Sequence, residues 1–124
     1  MCANTHEHLE NLDLDEDFDP ESAFSNLKTA VLNDDKAERL ASFFAAFSDS
    51  TRLKIIHALK NEELCVHELA SLLGAKQSSV SQHLKALWQA RIVQRRKVGL
   101  HVFYRCEDAH IEEIFTLGKN HVEE

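Results

Sequence analysis

Two short amphipathic segments, 63–73 and 78–90, meet at Gly74-Ala75-Lys76-Gln77 and run directly into a basic stretch rich in β-branched residues. That succession constrains the fold more than any other feature of the chain. Glycine at the junction can supply a positive φ at little steric cost, which allows one helix to stop and a second to start after a tight turn. Ala70, Val80, Leu84 and Leu87 fall where they can pack the two helices together. Beyond them, 92–97 and 100–105 read as two strands around Val98-Gly99, a hairpin with Arg95, Arg96, Lys97 and His101 near its tip. A helix-turn-helix, a basic hairpin and a final helix together predict a winged-helix fold, mainly α with one small β-hairpin.

The charge distribution names the class of partner. The net charge is −7, but residues 1–35 hold ten acids and one base, and residues 36–124 hold eleven acids and thirteen bases. Within the latter, residues 69–106 carry seven Lys/Arg and no Asp or Glu. A stretch of that kind beside an acidic arm points to a polyanion, most simply nucleic acid. In a helix-turn-helix the first helix crosses the DNA backbone and the second enters the major groove. Lys76, Gln77, Ser78, Ser79, Ser81, Gln82 and His83, around the start of the second helix, are then placed to meet phosphates and base edges. Arg95, Arg96, Lys97 and His101 would grip the backbone from the hairpin.

Upstream, residues 1–20 are acidic, poor in large apolar side chains and end at the single proline, so they read as a mobile arm. Residues 21–124 form the remaining domain. Helices are predicted over 21–32, with Phe24, Leu27 and Val31 on one stripe, and over 36–47, with Leu40, Phe43, Phe44 and Phe47 at helical spacing. A third spans 51–59, capped by Asp49 or Ser50, with Leu53, Ile56 and Leu59 expected inside. Three cysteines, an odd and scattered count, argue against a disulfide framework and for reduced thiols in the cytosol. No run of 18 apolar residues or leader pattern appears, so a cytoplasmic protein without a membrane partner is expected. No nucleophile–base pairing or phosphate loop suggests an enzyme or a small-molecule substrate.

The tail, 108–124, reads as one helix that carries Asp108-x-His110 near its start and His121-x-x-Glu124 at its end. His110 and His121 share a face but stand roughly 16 Å apart along the axis at ~1.5 Å per residue. Zinc needs nitrogen ligands at ~2.0–2.1 Å, so one helix cannot supply both. An antiparallel second copy would bring Asp108 and His110 of one chain beside His121 and Glu124 of the other, twice by symmetry. Two histidines and two carboxylates suit tetrahedral zinc, with cobalt or nickel as alternatives. The same spacing is also compatible with a solvated polar helix.

These residues resemble the ArsR/SmtB family of metal-responsive repressors, and within it the cyanobacterial-type zinc sensors. The likeness covers about 36–124: Phe47-Ser-Asp-Ser-Thr-Arg-Leu53, Glu63-Leu-Cys-Val-His-Glu-Leu69, Ser79-Val-Ser-Gln-His-Leu84, Gly99-Leu-His-Val-Phe-Tyr104 and the terminal quartet. The resemblance implies a homodimer that binds operator DNA when metal-free and leaves it when metal binds. It implies that the quartet Asp108, His110, His121 and Glu124 is an intersubunit zinc site. Departures are Asp49-Ser50-Thr51-Arg52 where the family often has Asp-Pro-Thr-Arg, and Cys65-Val66-His67-Glu68 where cadmium and lead sensors carry two cysteines.

The family's other site joins arm ligands to the helix-turn-helix cysteine. Carried over here, it implies Cys2, His6 and His8 of the arm with Cys65, His67 and Glu68. One thiolate fewer should weaken the preference for soft cadmium and lead. Cys106 is expected as a buried cysteine at a strand end. Two rival readings are a thiol redox sensor using Cys65 and Cys106, and a zinc hydrolase using His110, His121 and an acid.

Overall fold

The computed structural model describes residues 19–124. It divides into two compact units, one up to Lys36 and one over Ala37–Glu124. The first holds helix α1, Pro20–Ala30, started by proline at its first position and by Asp19, whose side chain accepts from the Glu21 N–H. Its apolar stripe is real in spacing but not in burial: Phe24, Leu27 and Val31 are all exposed.

The second unit is built from helices around a small sheet. Helix α2 spans Asp34–Ala45, all but its first three residues in this unit, followed by α3 Ser50–Ala58, α4 Val66–Leu73, α5 Gln77–Gln89 and α6 Ala109–Glu123. Strands β1 (Leu64–Cys65), β2 (Val93–Val98) and β3 (His101–Cys106) form an antiparallel sheet in the order β1-β3-β2. The core is one cluster: Phe47, Ile55, Ile56, Leu59, Leu69, Val80, Leu84, Leu87, Ile92, Val93, Tyr104, Cys106 and Ile111 are its larger members. Complete burial of Leu84 or Leu87 removes a whole apolar side chain from water, worth about 1.5–3 kcal/mol each.

The expected elements are present, with three corrections. The helix predicted from residue 63 begins only at Val66, because Leu64 and Cys65 pair with Tyr104 and Phe103 of β3. Cys65 is then the N-cap, and Glu68 reaches back to accept its N–H at 3.0 Å, so the hairpin is really a three-stranded sheet. Leu53 is exposed rather than buried. It lies two residues before Ile55, about 200° round the helix from the face that points inward. The hairpin turn is Gly99-Leu100, one residue later than expected, since Val98 pairs with His101. Gly99 alone in that turn has positive φ (61°), which suits a two-residue primed turn. Gly74, with φ 62°, ends α4 in the left-handed conformation and sets the angle to α5.

Candidate DNA-binding face and metal-ligand clusters

Helix α5 buries Val80, Leu84 and Leu87 and turns Gln77, Ser78, Ser81 and Gln82 to solvent, with Ser79 and His83 half-buried at the edge. Its first turn carries no acid, so nothing neutralises the positive end of the helix dipole there. Exposed Lys76 stands at its N-cap. This is a surface of small polar groups on a rigid, positively biased helix end. Gln77 is not wholly free: its Nε2 lies 3.0 Å from Nδ1 of His67 on α4.

The sheet register divides the basic residues of the hairpin between two faces. Alternation along β2 puts Val93, Arg95 and Lys97 on the core side, and Gln94, Arg96 and Val98 on the other. Arg95 stacks its guanidinium over Trp88 of α5, 3.7 Å from the ring centroid. A stacked guanidinium keeps its edge donors available for phosphate oxygens. Arg96, on the opposite face, gives Nε to both carboxylate oxygens of Glu63 at 2.9 and 2.8 Å and lies over Phe103. That hydrogen bonding holds the Glu63 carboxyl below its ordinary pKa. His101 shares the face of Phe103 and Cys65, and its field helps lower Glu68. Trp88, Glu63 and Arg52 were not singled out by the sequence patterns. Glu63 could not be, because its role depends on the unforeseen strand β1.

The helix expected from 108 begins one residue later, and Asp108 is the N-cap of α6. Its Oδ1 accepts from the His110 N–H at 2.8 Å and lies 3.2 Å from His110 Nδ1. Desolvation works against the charged carboxylate, but the hydrogen bonds from His110 outweigh it and the Asp108 pKa is lowered. Both side chains are open to solvent, as are His121 and Glu124 at the far end. One chain thus carries two separate pairs of exposed N/O donors at the two ends of one helix. Among the described residues of a single chain, no group of three or more His, Cys, Asp or Glu could hold a metal.

At the other cluster, Cys65 is a half-buried free thiol at the start of α4. Glu68 is drawn to it: the Cys65 N–H first, then its thiol, lower the Glu68 pKa. His67 is exposed, and its Nδ1 faces Gln77 Nε2 of α5 at 3.0 Å. Cys2, His6 and His8 lie outside the described residues. Cys106 is buried and gives its Sγ–H to the Ile56 carbonyl at 3.8 Å. Burial first, and then the charge of Glu112, push its pKa up to about 11. Cys65 sits opposite Phe103, so Cys106 is three residues further along β3 and on the other face. That is ~10 Å along the strand at ~3.4 Å per residue. A disulfide needs Cα atoms ~4.4–6.8 Å apart, so this geometry does not pair the two thiols.

The sequence profile of bacterial regulatory proteins of the arsR family matches residues 49–95, from the cap of α3 to Arg95. A transcriptional repressor SmtB homolog of Synechocystis is 36% identical over 94 residues, covering 76% of this chain and 71% of the relative. This chain belongs to the arsR family. Also similar is the cadmium resistance regulatory protein CadC of Listeria innocua, 35% identical over 105 residues, 84% of this chain and 87% of that one. The fold agrees. A homodimeric winged helix-turn-helix DNA-binding domain of Mycobacterium bovis, a possible ArsR-family regulator, matches with a TM-score of 0.67 at 25% identity. That match covers 75% of this chain and 89% of that domain. The arsR-family chain is a DNA-binding transcriptional regulator, not an enzyme, and no helix among the described residues is long and apolar enough to cross a membrane.

Proposed function

We propose that this chain is a zinc-responsive repressor that binds operator DNA as a metal-free homodimer and releases it when zinc binds. The observation that carries this reading is the split donor set of α6. Asp108 and His110 stand at one end and His121 and Glu124 at the other, each half-set exposed and neither sufficient alone. Two copies with antiparallel α6 helices would complete two sites, each from opposite half-sets of the two copies. The donor chemistry fits zinc: two neutral imidazoles and two carboxylates, with cobalt or nickel as competitors. The related SmtB homolog is named a repressor, and CadC a cadmium resistance regulator.

A second copy also answers an apolar surface. Phe44, Phe47, Leu53, Ile114, Phe115 and Val122 line a groove of about 590 Å³ between α2, α3 and α6. Phe44 is 47% and Val122 81% exposed, next to the ligand His121. A chain with its own solvent-facing aromatic groove beside half a metal site is suited to self-association.

At the DNA, α5 would read the major groove through Ser78, Ser79, Ser81, Gln82 and His83, with Lys76 and Gln77 at its entry. Arg95, Lys97 and His101 of the hairpin would hold the backbone. Arg95, held over Trp88 of α5, and Lys97 on the same sheet face are the principal phosphate contacts, and Arg96 acts through Glu63 to hold the hairpin beside β1. Cys65, His67 and Glu68, with Cys2, His6 and His8, would supply the donors of a second, accessory site.

The test is a titration of the dimer on labelled duplex DNA with zinc, cobalt and cadmium, beside a metal count per protomer. Release at one zinc per chain, without thiolate-to-metal absorption for cobalt at that stoichiometry, supports the α6 site. Release that tracks thiolate absorption moves regulation to Cys65.

A further inference from the structure

The packing of α5 against α3 has one directional contact. Ile55 and Ile56 of α3 and Val80, Leu84 and Leu87 of α5 are buried in the common core. Apolar burial is not directional, so it fixes that these helices touch more firmly than it fixes their relative rotation. Beside that contact, Arg52 of α3 donates Nε–H to Nδ1 of His83 at 3.1 Å. Asp49, the cap of α3, accepts the Arg52 backbone N–H at 3.0 Å, and its Oδ2 lies 3.8 Å from the same Nδ1. His83 is thus held from the start of α3, on the helix proposed to read the operator.

We propose that the Arg52–His83 hydrogen bond fixes the rotation of the recognition helix against α3, so that both are positioning residues for operator discrimination. A guanidinium has only donors, so the imidazole nitrogen it meets must offer a lone pair. In this geometry Nδ1 of His83 is the acceptor, which leaves the ring proton for Nε2. The bond sets which nitrogen faces α3 and which faces outward. Ser79 lies one turn earlier on the same side of α5, and Gln82 is the preceding residue. A slip in rotation at His83 moves both relative to the groove. The polar groups facing the imidazole from α3 are Arg52 and Asp49, and of these only Arg52 is within hydrogen-bond reach.

This inference rests on α5 being the recognition helix, and the test separates the two. The first measurement needs no DNA: ¹⁵N spectra of the histidines in the full chain near pH 7.5. His83 is expected as the Nε2–H tautomer in the parent and as a tautomer mixture in Arg52→Gln. A parent His83 protonated on Nδ1 would overturn the proposal whatever α5 does. The second compares binding to the duplex that the parent selects from a random pool with binding to random duplex. His83→Leu and Arg52→Gln should lower that ratio by about tenfold, the scale of a hydrogen bond to a charged group. His83→Gln, which keeps an acceptor for Arg52, should restore most of it. Equal losses on both duplexes would show direct phosphate contact and overturn the positioning role. So would an unchanged ratio in variants that fold as the parent does.

Discussion

The Arg95 guanidinium lies over the Trp88 ring, 3.7 Å from its centroid, whereas its neighbour Arg96 is on the opposite face of the sheet and bonds Glu63. Two adjacent arginines that look equivalent in sequence therefore do different work. Arg95→Ala is expected to weaken binding to every duplex and to reduce the slope of log K against log salt by about 0.9, one released counterion. Arg96→Ala should leave that slope nearly intact and act instead through the hold of β2 on β1. Trp88→Ala keeps all charges, so it should lower affinity by loosening Arg95 without changing the slope. Equal slope changes for both arginines would return Arg96 to the phosphate contacts.

Cys106 predicts a pH signature that belongs to the fold rather than to DNA. Its thiol is buried, bonded to the Ile56 carbonyl, and titrates at about 11 instead of the ordinary 9.0. Between these values the unfolded chain has given up a proton that the folded one keeps. The folded state binds more protons, so stability falls as pH rises from about 9 towards 11. Denaturant midpoints at pH 8, 9 and 10 should decline less in Cys106→Ala than in the parent. At pH 8, alkylation should modify Cys65 well before Cys106, because Cys106 is buried and its pKa is raised.

Much of this was written in local pattern. The helix-turn-helix and the hairpin depend on residues a few positions apart, and both are present, with the first helix starting three residues later and the turn one residue later than spacing put them. What could not be read were relations set by tertiary packing. The strand at Leu64–Cys65 exists only because β3 is there to pair with it, and two residues give no period to detect. Leu53 was misassigned because a nine-residue helix has too few turns to define its inward face. The division of Arg95 from Arg96 follows from a period of two, but which face meets α5 required the fold. Arg52 is 31 residues from His83, and nothing in either neighbourhood announces the contact. The half-sets on α6 were legible as incomplete, because helical rise alone keeps them apart.

The apolar groove should govern assembly. Phe44 and Val122 face it from α2 and α6 and are exposed in one chain. Phe44→Asp or Val122→Asp would place a charge where a second copy is expected, and an unpaired buried charge is costly. Sedimentation should show these variants as monomers at concentrations where the parent is a dimer. Far-UV circular dichroism should be retained, because neither side chain belongs to the core. Operator affinity should drop towards that of a single half-site. A dimer that persists in both variants would remove the groove from the interface.

Metal and operator should oppose each other through α6. This helix is tied to the end of α3: the Asn61 N–H donates to Glu112 at 3.3 Å, Lys60 Nζ donates to the Thr116 hydroxyl at 3.0 Å, and His57 stacks on Phe115. Helix α3 in turn packs against α5. Zinc bridging Asp108 and His110 of one protomer to His121 and Glu124 of its partner would fix the angle between the two α6 helices. Each recognition helix is carried on that frame, so the angle sets the spacing of the pair along the duplex. Linkage makes the effect reciprocal: operator DNA must weaken zinc by the factor by which zinc weakens operator, typically ~5–150-fold. His121→Ala should therefore bind operator as the parent does when metal-free, yet keep it when zinc is added. Acid should mimic that loss, because ligand histidines must be neutral to bind and zinc competes with protons for them. If His121→Ala released operator at the parent's zinc concentration, the regulatory site would have to be the one at Cys65.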